Sequence, residues 1–194
     1  MSKPVGDVQN RILKTVDKQL RTTSASAITM DRIALETGCA KGLVTYHFKT
    51  KAALLAAAAD RLFRERDDRW QAALSAASPD EAIHRSWKLI VDDLSSGFWK
   101  AQTNLAAIDD VLTVQTVSKA FERFDALLSG SVGSLLRAMA LKPSITDSEL
   151  GHLLGAGIQG FGIQLLNGLS PDHVEGAYAA LWLAILSLAK PARR

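Results

Sequence analysis

The chain has 194 residues and a mass of 20.9 kDa, enough for one or two domains with a real core. Hydrophobic residues make up 47% and charged residues 22%, which excludes a disordered or fibrous chain; a single cysteine excludes a disulfide framework or a CxxC metal module and fits a reducing compartment. The net charge of +3 is unevenly spread: residues 1–51 hold nine Lys/Arg against four acids, and the other 143 hold 14 against 16. Such a segment is either a solvated basic face or a polyanion-binding head on a second module.

The start, Met1-Ser2-Lys3-Pro4, leads into charged sequence and not into an apolar signal segment. Val8, Ile12, Val16 and Leu20 recur every four residues and mark one face of a helix. Thr22–Ile28 is small and polar and reads as a loop. Thr29 is placed to cap a short helix with Met30, Ile33 and Ala34 on its apolar side, and Gly38 suits a left-handed helix end. A second short helix, Lys41–Phe48, turns Val44 and Phe48 inward. Thr50 caps a long Ala-rich helix running from Lys51 into the seventies. Ser78-Pro79-Asp80-Glu81 combines a cap, a proline at the first position and a glutamate three residues after the serine. The helix it opens carries Ile83, Trp87, Ile90, Val91, Leu94 and Phe98, with Ser96-Gly97 as its end. A shorter helix is expected over Lys100–Asp110. Val114, Val117, Phe121, Phe124, Leu128, Leu135 and Met139 line another, with room for a kink at Ser129-Gly130-Ser131. Thr146 and Glu149 form a second capping box, and Ser170-Pro171 opens a last helix with Val174, Tyr178, Leu181, Trp182, Ile185 and Leu188 on its face. The expectation is an all-α protein of about nine helices, with no internal repeat. The charge-free stretch Leu150–Pro171 is broken by polar residues and six glycines, and Gly176–Ala189 is too short for roughly 30 Å of hydrocarbon, so both are expected as buried helices and no membrane partner is expected.

Two short helices joined by about four residues with a glycine, over Thr29–Lys51, have helix-turn-helix geometry, in which the second helix can enter the major groove of double-stranded DNA. With Val44 and Phe48 inward at 100° per residue, Gly42 and Tyr46 point outward and Leu43 and Thr45 flank them. Lys41, Lys49 and Lys51 surround that face, and the amides at the Thr29 and Thr50 helix starts suit phosphate.

The tract Ala40-Lys41-Gly42-Leu43-Val44-Thr45-Tyr46-His47-Phe48-Lys49-Thr50-Lys51 resembles the recognition helix and following helix start of the TetR family of bacterial transcriptional regulators. Met30-Asp31-Arg32-Ile33-Ala34 and the turn Thr37-Gly38-Cys39 fit the same pattern, and the specific likeness covers roughly residues 8–63. Further on, Ile158-Gln159-Gly160-Phe161 resembles that family's eighth helix. Leu43 stands where the family often has a small polar residue, Thr45 where it often has an aromatic, and Val44 where it usually has leucine. The resemblance implies that Lys41, Gly42, Leu43 and Thr45 face bases, and that Thr29, Tyr46, His47, Lys49 and Lys51 hold phosphates. Leu43 can pack on a thymine methyl but cannot hydrogen-bond a base.

The resemblance also implies a head over residues 1–51 and a ligand-binding, dimerising body over 52–194. It places Trp70, His84, Trp87, Phe98, Trp99, Phe121 and Phe124 around a cavity for an unidentified small molecule, although aromatics at helical spacing also serve as plain core. Asp92-Asp93 and Asp109-Asp110 are expected to be solvated, the alternative being a buried charge for a cationic ligand. The last two helices, through Leu154, Ile158, Phe161, Leu165, Tyr178, Trp182 and Ile185, would pair with their copies in a homodimer; the alternative is a core within one chain. The function expected is a ligand-responsive regulator, a repressor that binds a palindromic operator as a dimer in the bacterial cytoplasm. A helical small-molecule or lipid-binding protein with a basic docking surface is the alternative. No cofactor, metal or catalytic residue is expected: His47 lacks a partner ligand at helical spacing, Cys39 lacks a resolving partner, and no Ser/Cys–His–acid constellation stands out.

Overall fold

A computed structural model describes residues 5–75 and 78–191, with side chains from Asp7 onward; the Met1–Pro4 start lies outside the described residues. Among the described residues there are nine α-helices: α1 Val5–Thr22, α2 Met30–Thr37, α3 Lys41–Phe48, α4 Lys51–Leu74, α5 Pro79–Ser95, α6 Phe98–Ala106, α7 Val111–Ala138, α8 Asp147–Leu166 and α9 Pro171–Ser187. The loop after α1 contains a short 3-10 turn, Ala25–Ala27. Two three-residue strands, β1 Leu141–Pro143 and β2 Ala189–Pro191, pair antiparallel with Leu141 opposite Pro191.

Local chemistry explains most boundaries. Ser78, Thr146 and Ser170 each accept a backbone N–H two or three residues into α5, α8 and α9. Phe98 belongs to α6 and not to the end of α5, because Gly97 between them adopts φ +74, a conformation glycine reaches at little cost. The helix expected to reach Asp110 stops at Ala106, since the Asp110 carboxylate accepts the Thr113 N–H at 2.8 Å and so caps α7. α7 itself runs uninterrupted through Ser129-Gly130-Ser131.

The chain forms two compact units, one from Met1–Arg64 with Gly97–Ala120, the other from Glu65–Ser96 with Phe121–Arg194. In the first, Ile12, Val16, Leu20, Ile28, Ile33, Val44 and Leu54 are fully buried. Phe63 meets Phe98 edge-on at 6.2 Å. α6 is tied to the end of α1: Asn104 Nδ2 donates to the carbonyls of Leu20 and Thr23, both at 2.8 Å, and Lys100 Nζ donates to that of Thr22 at 2.9 Å. These are carbonyls that a helix end leaves without intrahelical partners.

In the second unit Trp70 and Phe124 pack edge-to-face at 5.4 Å, and the buried Arg66 guanidinium lies 3.9 Å from the Phe124 ring centre. Asp67 accepts from both Arg66 and Arg123. Asp93, expected in solvent, is fully buried and paired with Arg69 at 2.6 Å; an uncompensated buried carboxylate would be strongly destabilising. The Leu181 side chain of α9 fills the space beside Gly157, where a Cβ would lie 2.6 Å from Leu181 Cδ2.

The box at α8 is reciprocal: Thr146 Oγ1 accepts the Glu149 N–H, and Glu149 Oε2 accepts from the Thr146 N–H and hydroxyl, each at 2.8 Å. Those bonds from Thr146 hold the Glu149 carboxyl below its ordinary 4.5. A depressed carboxyl contributes stability above its unfolded value and loses it as the pH falls through the folded one. Thr146→Ala is therefore expected to lower the melting temperature most at neutral pH, and the gap to the parent should narrow in melts run below pH 4.5.

Candidate nucleic-acid interface

The interface begins with two eight-residue helices and the turn between them. Thr29 Oγ1 accepts the Arg32 N–H at 3.2 Å and starts α2. Gly38, at φ +65 and ψ +37, ends it in the left-handed region, as its position in the sequence predicts. α3 follows after Ala40. Ile33 and Ala34 on α2, with Val44 and Phe48 on α3, are buried. That inward set fixes which residues face out.

Gly42, Leu43, Thr45 and Tyr46 form the exposed side of α3, with Tyr46 65% and Leu43 36% accessible. A Cβ at Gly42 would meet nothing within 4 Å, so the chain's own packing does not demand glycine there. Gly in a helix costs up to about 1 kcal/mol relative to Ala. An outside partner coming close to the backbone would account for its presence.

Cations surround this face and no acid occurs from Lys41 to Lys51. Lys41 is exposed and pairs with Asp31 at 2.8 Å. Lys49 ends α3 at φ +53, an uncommon angle for a side-chain-bearing residue, and its ammonium lies 5.4 Å from the centre of the Tyr46 ring. His47 is half-buried and meets Tyr46 edge-on at 5.4 Å. Lys51 is half-buried and donates to the Ser26 carbonyl at 3.3 Å, while Thr50 caps α4 by accepting the Ala53 N–H at 3.1 Å. The nearby Gln19 amide and the Arg32 guanidinium, whose Nε donates to Glu36 at 3.0 Å, hold the Glu36 carboxyl below its usual value. The nine residues singled out for duplex contact are thus brought together, each exposed or half-buried. Sequence spacing gave no sign of the Asp31–Lys41 pair, ten residues apart.

The other candidate sites come out differently. Of the seven aromatic candidates, His84 and Trp87 line a cavity of about 230 Å³ with Asp80, Glu175 and Tyr178. Trp70 and Phe124 are buried against each other in the second unit, where Phe121 is half-buried, and Phe98 and Trp99 are buried in the first. The seven dimer candidates, Leu154, Ile158, Phe161, Leu165, Tyr178, Trp182 and Ile185, are all buried within the second unit of a single chain. They form the inward stripe of α8 and α9, so the apolar periodicity that singled them out marks the chain's own core. The outward residues of the same helices include Leu153, Ala156, Ile163, Ala180, Leu183 and Ala184. Cys39 is half-buried in the turn before α3. Among the described residues no group of three His, Cys, Asp or Glu is placed to hold a metal, and no helix is long and apolar enough to cross a membrane.

Because Tyr46 is exposed and Ile33 is not, replacing them separates surface from core. Tyr46→Ala is expected to change unfolding free energy by no more than roughly 0.5 kcal/mol, and Ile33→Ala to cost about 2–5 kcal/mol, both read from urea denaturation.

Residues 12–58 match the family model described as bacterial regulatory proteins, tetR family. Solved structures share the fold of the whole chain. The reduced form of NemR from E. coli is 16% identical, covering 96% of this chain and 100% of that one, with a TM-score of 0.78. A Saccharomonospora viridis protein solved in complex with choline is 23% identical over 90% of this chain and 95% of that one, with a TM-score of 0.71. NalD, the secondary repressor of the MexAB-OprM multidrug efflux pump in Pseudomonas aeruginosa, is 16% identical over 95% and 96%, with a TM-score of 0.65. No curated protein matches the chain in sequence.

Proposed function

We propose that this chain, whose residues 12–58 match the family model of tetR-family bacterial regulatory proteins, is a dimeric repressor of that family that releases a palindromic operator when a small molecule binds its larger part. The observation that carries the proposal is the outward side of α3: exposed, free of acids, ringed by Lys41, Lys49 and Lys51, and held in place by the buried Val44 and Phe48. An α-helix of this kind fits the major groove.

Lys41, Gly42, Leu43 and Thr45 face base edges in this reading. Thr29, Tyr46, His47, Lys49 and Lys51 hold phosphates, which fix register without reading sequence. Lys41 would leave Asp31 on binding. That exchange is easy because the pair is exposed on both sides, and such pairs contribute little. Lys51 would give up the Ser26 carbonyl in the same way. Residues 1–51 act as the head and 52–194 as the effector-binding and dimerising part, in the cytoplasm and on the nucleoid when operator-bound.

Dimerisation uses the outward side of α8 and α9, where Leu153, Ile163 and Leu183 are 39%, 49% and 68% accessible and Gly160 has open space where a Cβ would sit. Two copies then present two heads to half-sites one helical turn apart, about 34–36 Å. Effector binding changes the separation of the heads, and a complete switch needs roughly 5.5 kcal/mol of differential affinity. The choline complex of the Saccharomonospora viridis protein and the repressor role of NalD support a small-molecule-released repressor as the reading for this fold.

Gel retardation at about 50 and 200 mM salt with random competitor DNA tests the head. Lys51→Ala is expected to weaken binding to all sequences alike and to lower the salt slope by about one unit, whereas a Leu43 substitution shifts base preference. A slope unchanged in the Lys51 variant removes that phosphate contact. For the dimer, Leu183→Glu is expected to yield monomers in light scattering and to lose operator affinity; a persistent dimer would place the interface elsewhere.

A further inference from the structure

An acid meets the exposed side of α3 from the neighbouring helix. Asp31, in the first turn of α2, places both carboxylate oxygens on the Lys41 ammonium, Oδ1 at 2.8 Å and Oδ2 at 3.0 Å. Both side chains are open to solvent, 68% and 62% accessible. The other acid of α2, Glu36, is tied to Arg32 of its own helix. Neither stability nor affinity for phosphate explains the pair. The helix dipole favours an acid in a first turn, but Lys41 holds the first position of α3, where the same dipole disfavours a cation. An ion pair this exposed contributes little. A carboxylate on a face ringed by lysines also weakens attraction to a duplex of any sequence.

What the pair matches is the edge of one base pair. In the major groove guanine presents two acceptors, O6 and N7, and its cytosine presents the N4 donor beside them. Lys41 can only donate, and Asp31 as a carboxylate can only accept. Guanine O6 and cytosine N4 are themselves hydrogen-bonded, about 2.9 Å apart, close to the 2.8 Å between Lys41 Nζ and Asp31 Oδ1. Side by side, the donor and the acceptor therefore fall opposite their complements. An A·T pair in the same place turns a donor, adenine N6, on the ammonium and an acceptor, thymine O4, on the carboxylate, so both contacts fail together. Gly42 and Leu43 next to Lys41 have no side-chain hydrogen-bonding group, which leaves this edge to the charged pair.

We propose that Asp31 is a specificity-determining residue that reads one G·C base pair of the operator half-site together with Lys41. On binding, Lys41 exchanges the carboxylate for guanine O6 and N7, and Asp31 takes the cytosine N4–H beside it. This deepens the duplex-binding reading above and rests on it. An acid that weakens attraction to phosphate in general thereby becomes discrimination, because only the matching base pair supplies it with a donor.

The test selects duplexes from a randomised pool with the full-length parent, Asp31→Asn, Asp31→Ala and Lys41→Met, reads base preferences by sequencing, and measures affinity for random-sequence DNA by gel retardation. The parent is expected to favour G·C over A·T by about tenfold or more at one base pair of each half-site, the scale of one good side-chain match to a base. Asp31→Asn keeps the shape of an exposed side chain, so the head stays folded, but its amide can turn to offer thymine O4 a donor. Both Asp31 variants should cut the tenfold ratio by at least about threefold, and Lys41→Met should lose the preference at the same base pair. Asp31→Ala should also bind random DNA more tightly than the parent. The inference is overturned if the Asp31 variants keep the parent's preference at every position, if Asp31→Ala tightens binding to all sequences alike, or if the Asp31 and Lys41 variants act at different base pairs. A parent that retards no duplex overturns the underlying reading as well, so the parent's own retardation and the variants' base ratios report the two failures separately.

Discussion

Eight residues are too few for a helix to persist alone in water, and α2 and α3 have eight each. Both exist because a shared apolar interior holds them: Ile33 and Ala34 from one, Val44 and Phe48 from the other, against the fully buried Ile12, Val16 and Leu20 of α1. The left-handed Gly38 sets where the chain turns between them. Everything offered to a partner by this part of the molecule follows from that constraint. Once Val44 and Phe48 point in, Gly42 and Tyr46 must point out, and the lysines that follow α3 fall beside them.

The second unit solves a different problem. α8 and α9 are apolar over much of their circumference, so each needs neighbours on more than one side. One side is met within the chain, by Leu154, Ile158, Phe161 and Leu165 on α8 and Val174, Tyr178, Trp182 and Ile185 on α9. Gly157 helps by admitting Leu181. The other side keeps Leu153, Ile163 and Leu183 in water, which is a cost unless a second surface covers them.

The parts of this architecture that were legible in the sequence are those set by neighbours a few residues away. Thr29, Ser78, Thr146 and Ser170 announce helix starts because a capping oxygen reaches only two or three residues ahead. The inward–outward division of α3 follows from periodicity for the same reason. What escaped depends on distant partners. Nothing near Asp93 in sequence points to its burial against Arg69 on another helix, and nothing near Leu141 points to its strand partner Pro191. Periodicity could find the apolar stripe of α8 and α9, but it cannot say whether that stripe faces the chain's own interior or another copy; burial decides it for Leu154 and its companions. Aromatic spacing likewise could not tell Trp70 and Phe98, which are buried against Phe124 and Phe63, from Trp87, which lines a cavity.

The hydrogen bonds from Asn104 and Lys100 to the end of α1 have a topological consequence. The unit that carries α3 is assembled from two separated stretches of chain, with α6 contributing Phe98 against Phe63 as well as those bonds. It cannot be excised with a single scissile cut. A fragment ending at Arg64 would expose the carbonyls of Leu20, Thr22 and Thr23 and one flank of Phe63 to water. The minimal autonomous version of this unit is a grafted molecule, with α6 and the start of α7 spliced back by a linker.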